Sequence, residues 1–229
     1  MIGRATAGTT ALFATAMIVV LAGSPRVARP EHSPLPPLRR GIFAGYAGGA
    51  PAGFSGGFGE PSCHGCHFDA EVNARPGRVA LAGVPERFAG GTSYPITITL
   101  SRPGMKLGGF QFTARFKDDG AQAGTLAPAA REEKRVRLDE LGEITYASQR
   151  QEGSSLAAPD STRWSLVWTA PSRGGPVVFH VAANAADGDG TADGDHIHTT
   201  VVESAPAAET SRSLLVIVLE SAHYEECGG

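Results

Sequence analysis

Apolar and polar positions alternate along most of the chain after residue 76. In the segment 108–116 (GGFQFTARF), phenylalanine and alanine side chains share one face, and the opposite face carries Gln111, Thr113 and Arg115. A period of two residues is typical of a half-buried β-strand, because successive side chains of a strand point to opposite faces. Shorter runs of the same kind predict further strands at 77–83, 93–100, 143–148, 162–169, 175–183, 195–202 and 211–219.

Glycine, proline and aspartate separate these runs, and no amphipathic helical stretch of useful length lies between them. Many short strands joined by turns predict an all-β fold, an antiparallel β-sandwich with Greek-key-like connections. Trp164 and Trp168 share one strand face with Leu166. We expect these side chains to anchor the core of the sandwich.

The N-terminal region has a different pattern. Arg4 precedes an apolar run at 11–22 (ALFATAMIVVLA), which is followed by small residues and Pro25. This pattern predicts a secretory signal, and the lack of a clean A-x-A cleavage site leaves an uncleaved N-terminal anchor as the alternative. In both cases the protein is expected outside the cytoplasm, as a periplasmic, secreted or cell-surface protein. The run at 214–219 (LLVIVL) is too short to span a bilayer, so membrane attachment is expected through the N-terminal segment only.

Composition divides the chain into five parts. Residues 1–28 are the signal or anchor, and residues 29–62 form a linker that is rich first in proline and then in glycine. Aromatic rings within the glycine-rich part are expected to lie on an apolar surface, either beside the motif that follows or at the edge of the main domain. Residues 63–76 carry that motif, residues 77–220 form the sandwich, and residues 221–229 are a tail. Cys227 in the tail has no assigned role.

One motif indicates a specific chemistry, the stretch Cys63-His64-Gly65-Cys66-His67. The C-x-x-C-H spacing is that of covalent c-type haem attachment. The two thiols can reach the two vinyl groups of one porphyrin, and His67 is placed to be an axial ligand of the iron. A redox-active disulfide and a zinc site that includes His67 are the alternatives.

The second axial position of the iron has three candidate ligands. Met105 lies in a turn-like segment and is the one methionine that remains after removal of the signal. Its thioether is a known kind of haem ligand. His196 and His198 lie on the same face of one predicted strand, where either imidazole could ligate iron. The position could also stay open to water.

An acidic loop follows the predicted strand at 175–183. It places Asp187, Asp189, Asp193 and Asp195 at intervals among glycines. Carboxylate oxygens on a flexible loop are ligands that Ca²⁺ accepts, although the spacing differs from that of an EF-hand. A hairpin rich in Asx turns explains the same residues without a metal.

Composition excludes some classes of function. The formal net charge of -3 offers no basic patch for nucleic acid. No acid/base pair and no nucleophile constellation stands out, so we do not expect an enzyme. A haem protein of this kind would exchange electrons with a redox partner protein, which the sequence does not identify.

Several segments resemble the choice-of-anchor V family, which is similar to reelin-type (Reeler) β-sandwich domains. The resemblance runs from about Gly49 to Val202 and rests on GFGEPSCHGCHF (57–68), GGFQFTAR (108–115), AGTL (123–126), WSLVWTAP (164–171) and VVFHVAANAADGDGTADGDHIHTT (177–200). It implies an exported or surface-exposed domain with a reelin/Ig-like sandwich and, in many members, a C-x-x-C-H motif near its start. It implies no settled activity. Neither a C-terminal membrane helix nor a sorting tail is seen, so anchoring is expected through the N-terminus or not at all.

Two functions are therefore expected as alternatives. The first is an exported mono-haem c-type protein in which a reelin-like sandwich carries the haem and takes part in electron transfer. The second is a non-redox cell-surface or adhesion-type binding module in which Cys63 and Cys66 form a disulfide or part of a zinc site. Haem c is the expected cofactor in the first case, and calcium is a further expected ligand of the acidic loop.

Overall fold

A computed structural model describes residues 48–208. Short 3-10 turns occur at Cys63–Gly65 and Gln151–Ser154, and the rest of the regular structure is β. The strands are β1 (Arg78–Ala82), β2 (Arg87–Phe88), β3 (Ser93–Ser101), β4 (Leu107–Phe116), β5 (Thr125–Pro128), β6 (Val136–Leu141), β7 (Ile144–Gln149), β8 (Ser161–Thr169), β9 (Val177–Ala186) and β10 (His196–Pro206). The predicted signal or anchor, the first part of the linker, the strand predicted at 211–219 and the tail with Cys227 lie outside the described residues.

The strands form two sheets that pack face to face. The four-stranded sheet has the order β1-β3-β8-β5, and the six-stranded sheet has the order β2-β10-β9-β4-β7-β6. Neighbouring strands are antiparallel, except that the two-residue strand β2 pairs with β10 in parallel. The prediction of an all-β sandwich is confirmed, with this short parallel pair as a departure from a purely antiparallel arrangement.

Seven predicted strands coincide with β1, β3, β4, β7, β8, β9 and β10 to within a few residues. The sequence analysis missed β2, β5 and β6. Two of these are short, at two and four residues, and β5 ends on Pro128. Strand β6 carries charged side chains and is largely exposed or half-buried, so it shows little of the apolar period.

The core between the sheets is aromatic, as predicted for the two tryptophans. Trp164 and Trp168 are fully buried. Each indole N–H donates to a main-chain carbonyl at 2.8 Å, that of Gly153 and that of Ala123 respectively. The Trp168 ring meets Phe179 of the facing sheet edge-on, with centroids 4.8 Å apart. The polar atoms of both indoles are therefore satisfied within an apolar core.

The outer face of the six-stranded sheet is also covered, which corrects the prediction of a half-buried β4. Gln111 and Thr113 on this face are fully buried. Residues 48–76, called the covering segment below, lie across the sheet here. The side chain of Gln111 donates to the carbonyl of Pro51 at 2.8 Å and accepts a hydrogen bond from the main-chain N–H of Phe54. The alternation in β4 thus separates two buried faces, one apolar and one polar.

No helix within residues 48–208 is long and apolar enough to cross a membrane.

Candidate functional site

The covering segment crosses the outer face from β6 to β10. At its start, the guanidinium of Arg137 in β6 donates to the carbonyls of Gly49 and Ala50, each at 3.0 Å. Near its end, Asn73 accepts a hydrogen bond from the N–H of Thr199 in β10 at 2.9 Å and donates to the hydroxyl of that residue at 3.2 Å. Both ends of the segment are thus held by side chains, and the C-x-x-C-H motif lies between them.

Glu60 attaches the middle of the covering segment to the sheet. Its carboxylate accepts hydrogen bonds from Arg115 of β4 at 2.6 Å, from the phenol of Tyr146 of β7, and from Ser55 at 2.7 Å. Burial and the bond to Glu60 raise the pKa of Tyr146 above its usual range, so its phenol stays protonated and donates. A carboxylate with three donors is a strong point of attachment in a protein interior.

The segment lies close against the sheet at Gly57. A Cβ atom at this position would stand 2.4 Å from the ring of His180 in β9, so only glycine allows this approach. The neighbouring Phe58 ring meets His180 edge-on with centroids 5.3 Å apart, and the Arg115 guanidinium lies 4.3 Å from the Phe58 centroid. Burial lowers the pKa of His180, which keeps the ring neutral under Phe58. This aromatic ring of the linker therefore covers the sheet.

The motif itself forms a tight 3-10 turn. Ser62 caps the turn by accepting a hydrogen bond from the N–H of His64 at 3.3 Å. The main-chain N–H groups of Cys66 and His67 both donate to the carbonyl of Cys63 at 3.1 Å. Cys63 and Cys66 form no disulfide with each other, and both are half-buried. Burial raises the pKa of Cys63 to about 12 and also raises that of Cys66, so both side chains are thiols at neutral pH.

His67 lies beside a buried carboxylate. Its Nδ1 is 2.7 Å from Oδ2 of Asp195, and the side chains of His67 and Asp195 are 28% and 2% exposed. The side-chain amide of Asn184 in β9 donates to the same Oδ2 at 2.8 Å. The other ring nitrogen of His67, Nε2, has no hydrogen-bond partner among residues 48–208. One nitrogen of the imidazole is therefore held by the protein while the other is free.

A second contact joins the covering segment to the acidic loop. The carboxylate of Asp69 accepts a hydrogen bond from the N–H of Gly194 at 2.9 Å. Because Gly194 immediately precedes Asp195, this bond and the contact of His67 with Asp195 hold the two loops together at neighbouring positions. Phe68, between the two contacts, is 57% exposed.

The acidic loop uses most of its carboxylates internally. Asp187 accepts from the N–H of Asp189 at 3.0 Å, and Asp189 accepts from the N–H of Thr191 at 2.7 Å. These are the Asx turns of the alternative interpretation. Asp193 is exposed, whereas Asp195 is buried. In the described part of the chain, no group of three or more His, Cys, Asp or Glu side chains is arranged to hold a metal ion. Calcium binding by this loop stays a prediction.

His196 and His198 lie on the other face of the sheet from His67. In β10 they pair with Ala185 and Ala183, whose side chains belong to the core between the sheets, whereas Ile197 pairs with Asn184 on the outer face. His198 is fully buried with no hydrogen bond to either ring nitrogen, and Nε2 of His196 lies 2.8 Å from the Arg102 guanidinium. The six-stranded sheet therefore separates both rings from the motif.

Met105 is also remote from the outer face. Its side chain is 3% exposed and belongs to the core cluster between the sheets. Its methyl group would be 3.4 Å from a Cβ atom placed on Gly108, which shows how closely it packs under β4. The structure thus places none of the three expected second ligands beside His67.

The sequence analysis missed Asn184 and the contact of Asp195 with His67. The amide nitrogen of Asn184 also lies 3.3 Å from Nδ1 of His67. Asp195 was singled out as a possible calcium ligand, and Asn184 was assigned no role. Their contact with His67 joins positions more than 100 residues apart, 117 in the case of Asn184. No local spacing signals such a contact.

Comparison with known proteins adds similarities of structure. No family model and no curated protein matches the chain. The reeler domain of human F-spondin is 18% identical over 58% of this chain and 92% of that chain, with a TM-score of 0.38. The Reelin-N domain of F-spondin is 17% identical over 63% and 95%, with a TM-score of 0.42. A cohesin module from a Clostridium perfringens family 33 glycoside hydrolase is 11% identical over 57% and 96%, with a TM-score of 0.43. At identities this low, no ligand or partner is transferred from these proteins to this chain.

Proposed function

We propose that this protein is an exported mono-haem c-type protein that exchanges electrons with a redox partner protein. The observation that supports the proposal most strongly is the state of the C-x-x-C-H motif on the outer face of the sheet. Cys63 and Cys66 do not form a disulfide with each other, and His67 is held through Nδ1, while Nε2 has no hydrogen-bond partner within residues 48–208. These are the features that residues holding a covalent haem require.

Each residue of the motif has a distinct role in this proposal. Cys63 and Cys66 would hold the haem covalently, each through a thioether bond to one of its vinyl groups. His67 would bind the iron through Nε2. Bound haem would supply a site for one-electron reduction and oxidation. The protein is proposed to act without catalysing a reaction on a substrate.

The exposed ring beside the motif favours an electron-transfer role. Phe68 follows His67 directly and is 57% exposed. An apolar ring next to a haem held at this motif would be a suitable docking point for a partner protein. The expected signal or anchor at 1–28 places this exchange outside the cytoplasm, with membrane attachment through that segment alone.

The second axial position is proposed to be open to water or to a group from outside the chain. Met105, His196 and His198 all lie between the two sheets, on the other side of β9 and β10 from His67. Replacing each of them singly, as Met105→Leu, His196→Ala and His198→Ala, should therefore leave the haem absorption spectrum unchanged. A changed spectrum in one variant would identify that residue as the ligand.

The test of haem attachment uses the full chain produced in a host that matures c-type haem. We expect haem to stay with the polypeptide on a denaturing gel, and the double variant Cys63→Ser/Cys66→Ser to lose it. Cys227→Ser is the matched control, since it removes the third cysteine and should retain the haem. If the wild-type chain carries no covalent haem and instead contains bound zinc or a Cys63–Cys66 disulfide, the protein is a non-redox surface or adhesion-type binding module.

A further inference from the structure

We infer that Asp195 is a positioning residue that fixes the proton of His67 on Nδ1 and sets the electron donation of the imidazole to a bound iron. The inference has two halves: the first is the location of the proton on Nδ1 of His67, and the second is the effect on electron donation to iron. Only the second half rests on the proposed function. The first half concerns the protein without haem. In the sequence analysis Asp195 was a candidate calcium ligand, and in the structure its carboxylate contacts His67 of the motif.

The contacts of Asp195 show that its carboxylate acts as a hydrogen-bond acceptor. Oδ2 faces Nδ1 of His67 at 2.7 Å and the amide of Asn184 at 2.8 Å, and Oδ1 accepts from the main-chain N–H of Asp187 at 3.1 Å. An ionised carboxylate only accepts hydrogen bonds, so the proton of this contact belongs to Nδ1 of His67. With three donors and 2% exposure, the carboxylate has no free oxygen to turn toward solvent.

The location of the proton decides which nitrogen can bind a metal. A neutral imidazole has one N–H and one lone pair. Nδ1 of His67 has two polar neighbours: Oδ2 of Asp195 at 2.7 Å, which accepts, and the amide nitrogen of Asn184 at 3.3 Å, which can only donate. Because the contact with the carboxylate is much the shorter, the N–H is assigned to it. Nε2 therefore carries the lone pair. The short contact also fixes the plane of the ring, because Asp195 itself is held by Asn184 and by the main chain of Asp187. This is the arrangement in which a carboxylate orients a metal-binding histidine.

A carboxylate has a further effect that a neutral acceptor lacks. Its negative charge draws the Nδ1 proton toward itself and makes the ring a stronger electron donor at Nε2. Asp195 is nearly excluded from water, and no described cation forms an ion pair with it, so its charge is weakly screened. A stronger donor favours the ferric over the ferrous state. We therefore expect a lower reduction potential than the same site would have with a neutral acceptor.

Asp193 provides a matched control two positions away on the same loop. Its side chain is exposed and makes no hydrogen bond to any residue of the range 48–208, and its charge is the same as that of Asp195. A substitution at Asp193 changes the net charge of the loop equally but leaves His67 untouched. Any effect that is specific to Asp195 is therefore due to the contact with His67.

The first experiment uses the full chain without haem. Long-range proton–nitrogen NMR spectra, recorded at about pH 8 where histidine is neutral, report which ring nitrogen is protonated. We expect the Nδ1–H form of His67 to dominate in the wild type and in Asp193→Ala, and to lose its dominance in Asp195→Ala. The β-type circular dichroism and the melting temperature show whether each variant is folded. If Asp195→Ala does not fold, Asp195→Asn, which offers Nδ1 only a neutral and weaker acceptor, should shift the same signals in the same direction by less. Dominance of the Nε2–H form in the wild type would overturn the inference.

The second experiment uses the haem-loaded protein. Asp195→Asn keeps an acceptor for Nδ1 but removes the charge, so the reduction potential should rise relative to the wild type and to Asp193→Asn. Equal potentials in Asp195→Asn and Asp193→Asn would overturn the second half of the inference. A wild-type chain without covalent haem would refute the proposed function and, with it, the second half. The NMR result would still decide the first half by itself.

Discussion

The two faces of the six-stranded sheet are buried in different ways. The inner face packs on the four-stranded sheet through large apolar side chains, of which Trp168 and Phe179 are examples. The outer face is covered by a segment without regular strands, which is held through polar side chains such as Gln111 and Glu60. Apolar packing is cooperative and depends on volume, whereas the polar attachment depends on a few individual contacts. The core therefore determines whether the sandwich forms, and the covering segment determines where the motif lies.

The largest expected effect comes from breaking the inner face. Trp164→Ala removes a fully buried side chain and leaves a cavity, and it should lower the free energy of unfolding by about 3–5 kcal/mol. Val201→Ala on the outer face is the control, because Val201 is 52% exposed and should cost below about 0.5 kcal/mol. Denaturant unfolding followed by tryptophan fluorescence and circular dichroism measures both. A similar loss in the two variants would contradict the division into a core and a covering layer.

A smaller effect is expected when the covering segment is released. Glu60→Ala leaves Arg115 and Tyr146 without their acceptor and should weaken the attachment of residues 48–76 by about 2 kcal/mol. Amide hydrogen exchange in the covering segment should then be faster by about 30-fold, while exchange in β8 stays unchanged.

The control for Glu60 is an ion pair of the same chemistry at the surface. Glu203 pairs with Lys117 at 2.8 Å, and both side chains are about half exposed. Glu203→Ala should cost below about 1 kcal/mol and leave exchange in the covering segment unchanged. Equal protection of the covering segment in Glu60→Ala and the wild type would show that other contacts hold it.

The smallest expected effect is a change in the pH dependence of stability, and it comes from His198 on the inner face. Burial, followed by the charges of Arg102 and His196, lowers the pKa of His198 below its usual value of about 6.5. Below about pH 6.5, His198 is therefore protonated in the unfolded chain but still neutral in the folded chain. The contribution of His198 to the free energy of unfolding is fully present above about pH 6.5 and is lost as the pH falls through the lowered pKa. Denaturant unfolding at several pH values should give a shallower loss of stability in His198→Leu than in the wild type. Identical slopes would contradict this assignment.

The inner face was accessible to sequence analysis because its signal is local. Alternation in β4 and the spacing of Trp164 and Trp168 correctly identified side chains that face the other sheet. The same alternation gave the wrong environment for Gln111 and Thr113, since polar side chains on one face of a strand are usually exposed to water. Their burial depends on a glycine-rich segment that has no period of its own.

The residues of the candidate site show the same difference between local signals and contacts that are distant in the sequence. Cys63, Cys66 and His67 are adjacent in the sequence, so their spacing alone predicts their chemistry. The placement of His196 and His198 required the register of β10 against β9, which decides that they face the core. The role of Asp195 required a contact between two loops that are far apart in the chain, and composition had suggested calcium for the same residue.

The contacts of the covering segment also imply an order of events while the chain is being made. Asp69 meets Gly194 across 125 positions, and Asn73 meets Thr199 across 126. The β9–β10 hairpin must therefore be complete before either contact can form. Closing the loop between the two partners of such a contact is slow, because it costs conformational entropy. During synthesis the C-x-x-C-H motif leaves the ribosome more than 100 residues before its partners. For that interval the motif lacks its contacts with the β9–β10 hairpin, and completion of this hairpin brings Asn184 and Asp195 to the motif and Thr199 to Asn73.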